Sequence, residues 1–261
     1  MKVQFYKYQG AGNDFILIDN RNEVFPKCDK QIVRRLCQRH FGIGSDGLIL
    51  LENDPNADFK MVYLNPDGSQ APMCGNGGRC IVAFARDLNL IESQAVFAAG
   101  DGMHRAAISG DRVEVQMKDV CEIKQRGGAL FLDTGSPHHV AFFDCIADID
   151  VFSKGKKIRD SDYGEVGANV NFAQYPESDS ISIRTYERGV EDETLACGTG
   201  AIAAAIAAFD KGLLLKSALQ VKMRGGDLQL RFTKTDRGYR DIYLAGPARL
   251  VFKGEWIAAA R

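Results

Sequence analysis

The chain has 261 residues, 45% apolar and 26% charged, which suits one large or two modest domains with a core of ordinary size. Lys and Arg (33) nearly balance Asp and Glu (34), for a net charge of −1 without a basic stripe, so nucleic acid is not an expected partner. No uncharged apolar run reaches bilayer-spanning length and the first residues lack a signal-peptide stretch; a cytoplasmic protein with reduced thiols and no membrane partner is expected.

In chain order, short alternating or apolar runs predict strands at residues 3–8 and 15–19, followed by a helix over 28–40 from the spacing of Ile32, Val33, Leu36 and Cys37. Strands follow at 48–51, 60–65, 106–108 and 113–117, with Asn65-Pro66-Asp67-Gly68 as a turn. The second half repeats the theme at 130–133, 139–143, 180–185, 219–223, 228–232 and 241–244. The charged runs 154–157 and 191–193 read as solvated loops. Between residues 198 and 209 no side chain is charged, and alanine dominates; a helix apolar on every side must be buried on every side. Its counterpart, CGNGGRCIVAFARD, is interrupted by Arg79.

Seven cysteines stand at 28, 37, 74, 80, 121, 145 and 197, with no C-x-x-C pair and no zinc-finger spacing, so no metal is expected. Most read as small buried hydrophobes. Two stand apart. Tyr63–Gly75 and Tyr186–Gly198 share tyrosine, cysteine and glycine at one offset: 63 to 186, 74 to 197, 75 to 198. Without a change of register the same offset carries Gly12 onto Gly135, Gly44 onto Gly167, Gly77 onto Gly200 and Asp87 onto Asp210. The chain therefore reads as two related halves meeting near residues 116–122, with a ligand cleft expected between them.

Each matched cysteine sits where a strand turns into a helix, followed by glycines at 75, 77 and 78 or at 198 and 200. A helix amino end offers unpaired N–H groups and partial positive charge, and glycine lets a ligand approach the backbone. Such a place binds carboxylate and lowers a thiol pKa from about 8.5 toward ~7. One C-G-x-G would be an ordinary tight turn with an inert thiol. Two, on halves that face one another, put an acid and a base on opposite sides of one carbon. Inverting a stereocentre needs that arrangement.

GAGNDF (10–15), NPDGS (65–69), MCGNGGRC (73–80), YERG (186–189) and ACGTGA (196–201) together resemble the diaminopimelate epimerase family over nearly the whole chain. The resemblance implies an α/β (α+β) fold of two pseudo-symmetric lobes, each a mostly antiparallel β-barrel or roll around a central buried helix. The N-terminal lobe would be 1–117, with a tail, 249–261, returning to it; the C-terminal lobe would be 118–248, the active site lying in the cleft. It also implies a homodimer that interconverts LL- and meso-diaminopimelate without pyridoxal phosphate, other cofactor or metal. Cys74 and Cys197 become the catalytic acid–base pair, and Asn13, Asn65, Gly75, Asn76, Asn169, Glu187, Arg188, Gly198 and Thr199 the residues that hold the amino-acid substrate. His138 and Glu187 would assist proton movement. Gly47 and Ser136 lie among the expected contacts but depart from the Gln and Asn of other members.

Two readings compete. A proline or hydroxyproline racemase-type enzyme of the same superfamily would also use paired cysteines, but GAGNDF and YERG favour the diaminopimelate reading. A thiol redox protein, joining Cys74 to Cys197, lacks the C-x-x-C signal, and a non-catalytic amino-acid-binding protein would not need matched thiols.

Overall fold

Alternation along the first strand, β1 (Lys2–Gly10), buries Val3 and Phe5 and exposes Lys2 and Gln4, the pattern of a strand with one face on a core. The computed structural model describes residues 2–257. An antiparallel hairpin joins β1 to β2 (Asn13–Asp19). Its two turn residues, Ala11 and Gly12, both have positive φ (55° and 85°), the turn that matches strand twist. The helix α1 (Lys30–Cys37) begins at Asp29, whose carboxylate accepts from the Gln31 and Ile32 amides, and buries Val33, Leu36 and Cys37. It is shorter at both ends than the 28–40 expected from periodicity, because the Asp29 cap starts it late and Gln38 is already extended.

Then come β3 (Gly47–Glu52), buried throughout and parallel to β2, β4 (Phe59–Leu64) antiparallel to β3, and the short β5 (Gln70–Ala71). The helix α2 (Gly75–Asp87) is buried from Gly75 to Ala85 and touches β1, β2, β3 and β4. β6 (Gln94–Ala99), β7 (Gly102–Ser109) and β8 (Arg112–Gln116) complete this part as an antiparallel meander, β7 also packing on α2.

The order then repeats: β9 (Ile123–Arg126), β10 (Ala129–Asp133), β11 (Pro137–Phe143), α3 (Val151–Tyr163), β12 (Asn169–Gln174), β13 (Ser180–Glu187), β14 (Asp192–Thr194), α4 (Gly198–Asp210), β15 (Ala218–Lys222), β16 (Leu228–Thr235) and β17 (Gly238–Pro247). Adding the sequence offset of 123 to the bounds of α2, 75 and 87, gives 198 and 210, the bounds of α4. Pairing repeats as well: β2–β3 and β11–β12 are parallel, β3–β4 and β12–β13 antiparallel, β4–β6 and β13–β15 parallel. The last strand, β18 (Arg249–Ile257), pairs antiparallel with β1.

The fold is mixed α/β, in two compact units. One runs to Val115 and resumes at Gly246; the other is Gln116–Ala245. The sequence reading set these bounds at 117 and 249, and residues 258–261 of its tail lie outside the described residues. Within each unit the strands enclose one buried helix, α2 or α4; α4 has no polar face and so no stable place at the surface, while α2 buries Asn76 and Arg79 among its apolar residues. Among the described residues no helix is long and apolar enough to cross a membrane.

Three expectations are corrected. Residues 154–157 are not a loop but part of α3, capped by Asp150, whose sequence carries too little apolar periodicity to show. Residues 191–193 are not merely solvated: Glu193 is held by Arg184 at 2.8 Å and Arg224 at 3.2 Å. Cys28, Cys121 and Cys145 are exposed rather than buried, while Cys37 and Cys80 are in the core as expected.

Candidate active site

Cys74 is the N-cap of α2, with extended backbone, and its sulfur accepts from the Gly77 amide at 3.5 Å. As a thiol it also donates to Asn13 Oδ1 at 3.9 Å. The same oxygen accepts from Asn76 Nδ2 at 3.1 Å, and Asn13 Nδ2 donates to Asp46 Oδ2 at 2.5 Å, so the amide is clamped at both ends. One sulfur thus has a partner for each protonation state: the Asn13 oxygen for the thiol and a helix-end amide for the thiolate.

Around this cluster, Asp14 pairs with the buried Lys7 (2.6 Å) and with Arg39 (2.6 Å), and Arg39 reaches Asp46 (2.9 Å). Burial pushes the Asp14 carboxyl up, but the Arg39 and Lys7 hydrogen bonds and charges prevail and hold it below the usual carboxylate range. Lys7 also donates to the Gly44 carbonyl. Arg79, one turn into α2 and fully buried, donates to Asn76 Oδ1 at 2.8 Å and reaches the carbonyls of Gly75 (3.3 Å) and Pro247 (3.4 Å).

In the second unit Cys197 stands at the N-cap of α4 with the same extended backbone but without a side-chain capping bond, buried at 6% exposure. Its sulfur lies 3.5 Å from Thr199 Oγ1, and the Thr199 carbonyl accepts from Thr134 Oγ1 at 2.9 Å. Gly200 is required by close approach: a Cβ there would lie 2.4 Å from Asn171 Oδ1 and 3.3 Å from the Cys197 sulfur. Asn171, fully buried on β12, donates to His138 Nδ1 (3.0 Å) and to the His139 carbonyl (2.9 Å) and accepts from Thr185 Oγ1 (3.0 Å).

These bonds assign the His138 tautomer. Nδ1 accepts, so Nε2 carries the proton. Asn169 accepts the Arg188 amide on Oδ1 at 2.8 Å, which turns its NH₂ toward His138 Nε2 at 3.3 Å. Two N–H donors stand side by side, an arrangement that suits an oxygen of a carboxylate. Burial pushes the His138 pKa down to about 3, only partly opposed by the Asn171 bond, so the ring is neutral at pH 7. As a neutral ring His138 offers a donor at Nε2.

The structure gathers Asn13, Cys74, Gly75 and Asn76 at one helix end, and His138, Asn169, Cys197, Gly198 and Thr199 around the other. Asn65 is tied to its own turn, donating to Ser69 Oγ at 3.1 Å while its amide bonds the Ser69 carbonyl. Gly47 is explained by packing: a Cβ there would meet the Tyr63 ring at 2.5 Å, so the aromatic occupies the space a longer side chain would need. Ser136 is half-buried and its carbonyl accepts from the Thr134 amide at 3.1 Å. Glu187 ends β13 half-buried, and Arg188 turns outward to the Val166 carbonyl (2.8 Å) before Gly189. Sequence reasoning ranked Asn171 behind Asn169 and missed Thr134, Asp46 and the role of Arg79. Asn171 had a usable signal, since it lies two residues from Asn169 on a strand and so on the same face.

A family model described as diaminopimelate epimerase matches residues 5–128 and 130–251. The chain belongs to the diaminopimelate epimerase family. A diaminopimelate epimerase from Flavobacterium psychrophilum is 52% identical over 253 residues, 96% of this chain and 99% of the relative. Among solved structures, a phenazine biosynthesis protein of the PhzF family from Bacillus anthracis superposes with a TM-score of 0.75 at 15% identity, covering 99% of this chain and 100% of the other. A probable proline racemase from Agrobacterium radiobacter gives 0.70 at 14%, with coverage of 99% and 93%. At such identities the likeness is one of fold alone. Within the family, Cys74 and Cys197 fall inside the two matched segments, one in each unit.

Proposed function

We propose that this protein is an isomerase that interconverts LL- and meso-diaminopimelate by two-base proton transfer, with Cys74 and Cys197 as the bases. The observation that carries the reading is a repeated placement: a cysteine at the N-cap of a buried thirteen-residue helix, once in each unit. One thiolate removes the α-hydrogen from one face of the substrate and the other thiol delivers a proton to the opposite face. The reaction needs both sulfurs at one α-carbon, with donors fixed where charge develops on the carboxylate; each such donor contributes on the order of 10²–10³ in rate. Asn76, the helix-end amides at Gly75 and Gly198, and the paired N–H groups of Asn169 and His138 are suited to that task. Asn13, Asn65, Glu187, Arg188 and Thr199 complete the proposed substrate set.

The finer readings are a cytoplasmic setting and a homodimer. The dimer is supported by β18, where Leu250, Val251 and Phe252 stand 45%, 56% and 46% exposed on consecutive positions; sedimentation of the protein and of a Val251→Glu variant tests it. For the reaction, purified enzyme without added cofactor is incubated with LL-diaminopimelate in D₂O, with proline in a parallel assay. Deuterium enters the α-position, and Cys74→Ala or Cys197→Ala abolishes inversion. Near-normal turnover in either single variant would end the two-base reading, and preference for proline would move the substrate.

A further inference from the structure

Arg79 is a cation where a cation is costly. It is fully buried in α2, and its five donors meet only neutral oxygens, those of Asn76, Gly75 and Pro247. No carboxylate approaches it among the described residues. The acidic groups nearest the cluster are already matched: Asp14 on β2 and Asp46 before β3 carry two negative charges, and Lys7 on β1 and Arg39 after α1 carry two positive ones. Among the described residues, the titratable groups that act on the Arg79 charge are two thiols, Cys80 and Cys74.

Cys80 cannot balance it. Buried in the core, its thiol is pushed up to about 12 and is neutral at ordinary pH. Cys74 is half-buried and accepts the Gly77 amide, and Arg79 holds the side chain of Asn76, two residues after that cysteine. The repeat supplies a comparison inside the molecule. Adding the offset of 123 to position 79 gives 202, and Ile202 stands there in α4, fully buried. One central helix carries a buried charge next to its cysteine and the other carries an isoleucine.

We propose that Arg79 is the counter-ion of the Cys74 thiolate, so that in the resting enzyme Cys74 is the base and Cys197 the acid. Arg79 is a positioning residue: it acts through Cys74 and through the orientation it gives the Asn76 amide. The charge fixes which of two similar thiols is ionised first, a choice that a duplicated scaffold by itself leaves open. The proposal rests on Cys74 being one of the two bases, and its test is built to be read without turnover.

The test is the pH dependence of iodoacetamide alkylation at Cys74, followed on its own peptide by mass spectrometry in the full-length protein. In the unaltered enzyme the midpoint for Cys74 falls at least about one unit below the ordinary thiol value of about 8.5. Arg79→Gln raises it by about 1–3 units, the span an adjacent arginine commands, and slows alkylation at pH 7 by about tenfold or more. Arg79→Lys, which keeps the charge, returns most of the shift. A Cys74 midpoint at the ordinary value in the unaltered enzyme overturns the proposal, whether or not Arg79→Gln folds; so does an unmoved midpoint in a folded Arg79→Gln protein. Should the protein prove inactive on diaminopimelate while the midpoints behave as stated, the substrate reading fails and the Arg79–Cys74 pairing stands.

Discussion

Gly77 and Gly200 occupy the same place in the two central helices, yet alanine should act differently at each. Both lie three residues beyond a cysteine cap, where Gly→Ala ordinarily stabilises a helix by up to about 1 kcal/mol. At 200 the new Cβ lies 2.4 Å from Asn171 Oδ1. That oxygen is buried and its amide is tied by three hydrogen bonds, so it cannot swing away without leaving His138, the His139 carbonyl or Thr185 unsatisfied. The first turn of α4 must shift instead, at an overpacking cost of about 1–3 kcal/mol. Against the propensity gain, Gly200→Ala therefore destabilises by up to about 2 kcal/mol. A displacement of about 1 Å at the thiol-bearing cap costs about 10²-fold in kcat. At 77 the new Cβ meets Ile49 Cδ1 at 2.9 Å and Met61 Cε at 3.3 Å, both terminal methyls that can rotate aside. Gly77→Ala should stay within about 1 kcal/mol of the parent by the same ledger. Thermal unfolding and α-hydrogen exchange in D₂O measure the two effects. If Gly200→Ala is more stable than the parent and fully active, the close approach of Asn171 to the helix end does not exist and the reasoning fails.

Two further outcomes follow from the same geometry. His138 has its pKa depressed to about 3 in the folded protein against an ordinary value of 6.5, so the unfolded chain binds the extra proton first. Its contribution is complete above about pH 6.5 and is lost as pH falls toward 3, at a rate set by the difference in bound protons; urea unfolding at pH 7 and pH 5 should show a loss that His138→Gln reduces, and an equal loss in both proteins would count against the buried neutral ring. Gly47→Ala should cost about 1–3 kcal/mol, because Tyr63 already fills the space, and the double variant with Tyr63→Ala should recover part of it; strict additivity in a double-mutant cycle would show that the two positions do not share that volume.

Much of the architecture was legible because duplication leaves a fixed offset in the residues themselves. Tyr63 and Tyr186, Cys74 and Cys197, and the glycines after each cysteine mark two helix starts, and the charge-free stretch after Cys197 admits no place but a core. The strand near 3–8 followed from alternation, with one face on apolar packing, and those near 15–19 and 60–65 from short apolar runs, 15–18 being buried without a break. The helix α3 escaped notice because only Val151 and Gly155 on it are buried, too little to impose a period, and β18 because its exposed apolar residues do not alternate.

What the sequence by itself determined, then, is which residues carry chemistry: their identity and local spacing follow from backbone rules that act over a few residues. Which partners they meet was decided only by the folded chain. Asn171 reaches the α4 cap, Tyr63 fills the gap over Gly47, and Arg79 lies among neutral oxygens, one of them from Pro247. Such contacts join residues far apart along the chain, and the burial that sets the strength of a charge or a hydrogen bond exists only once the strands have closed around each helix.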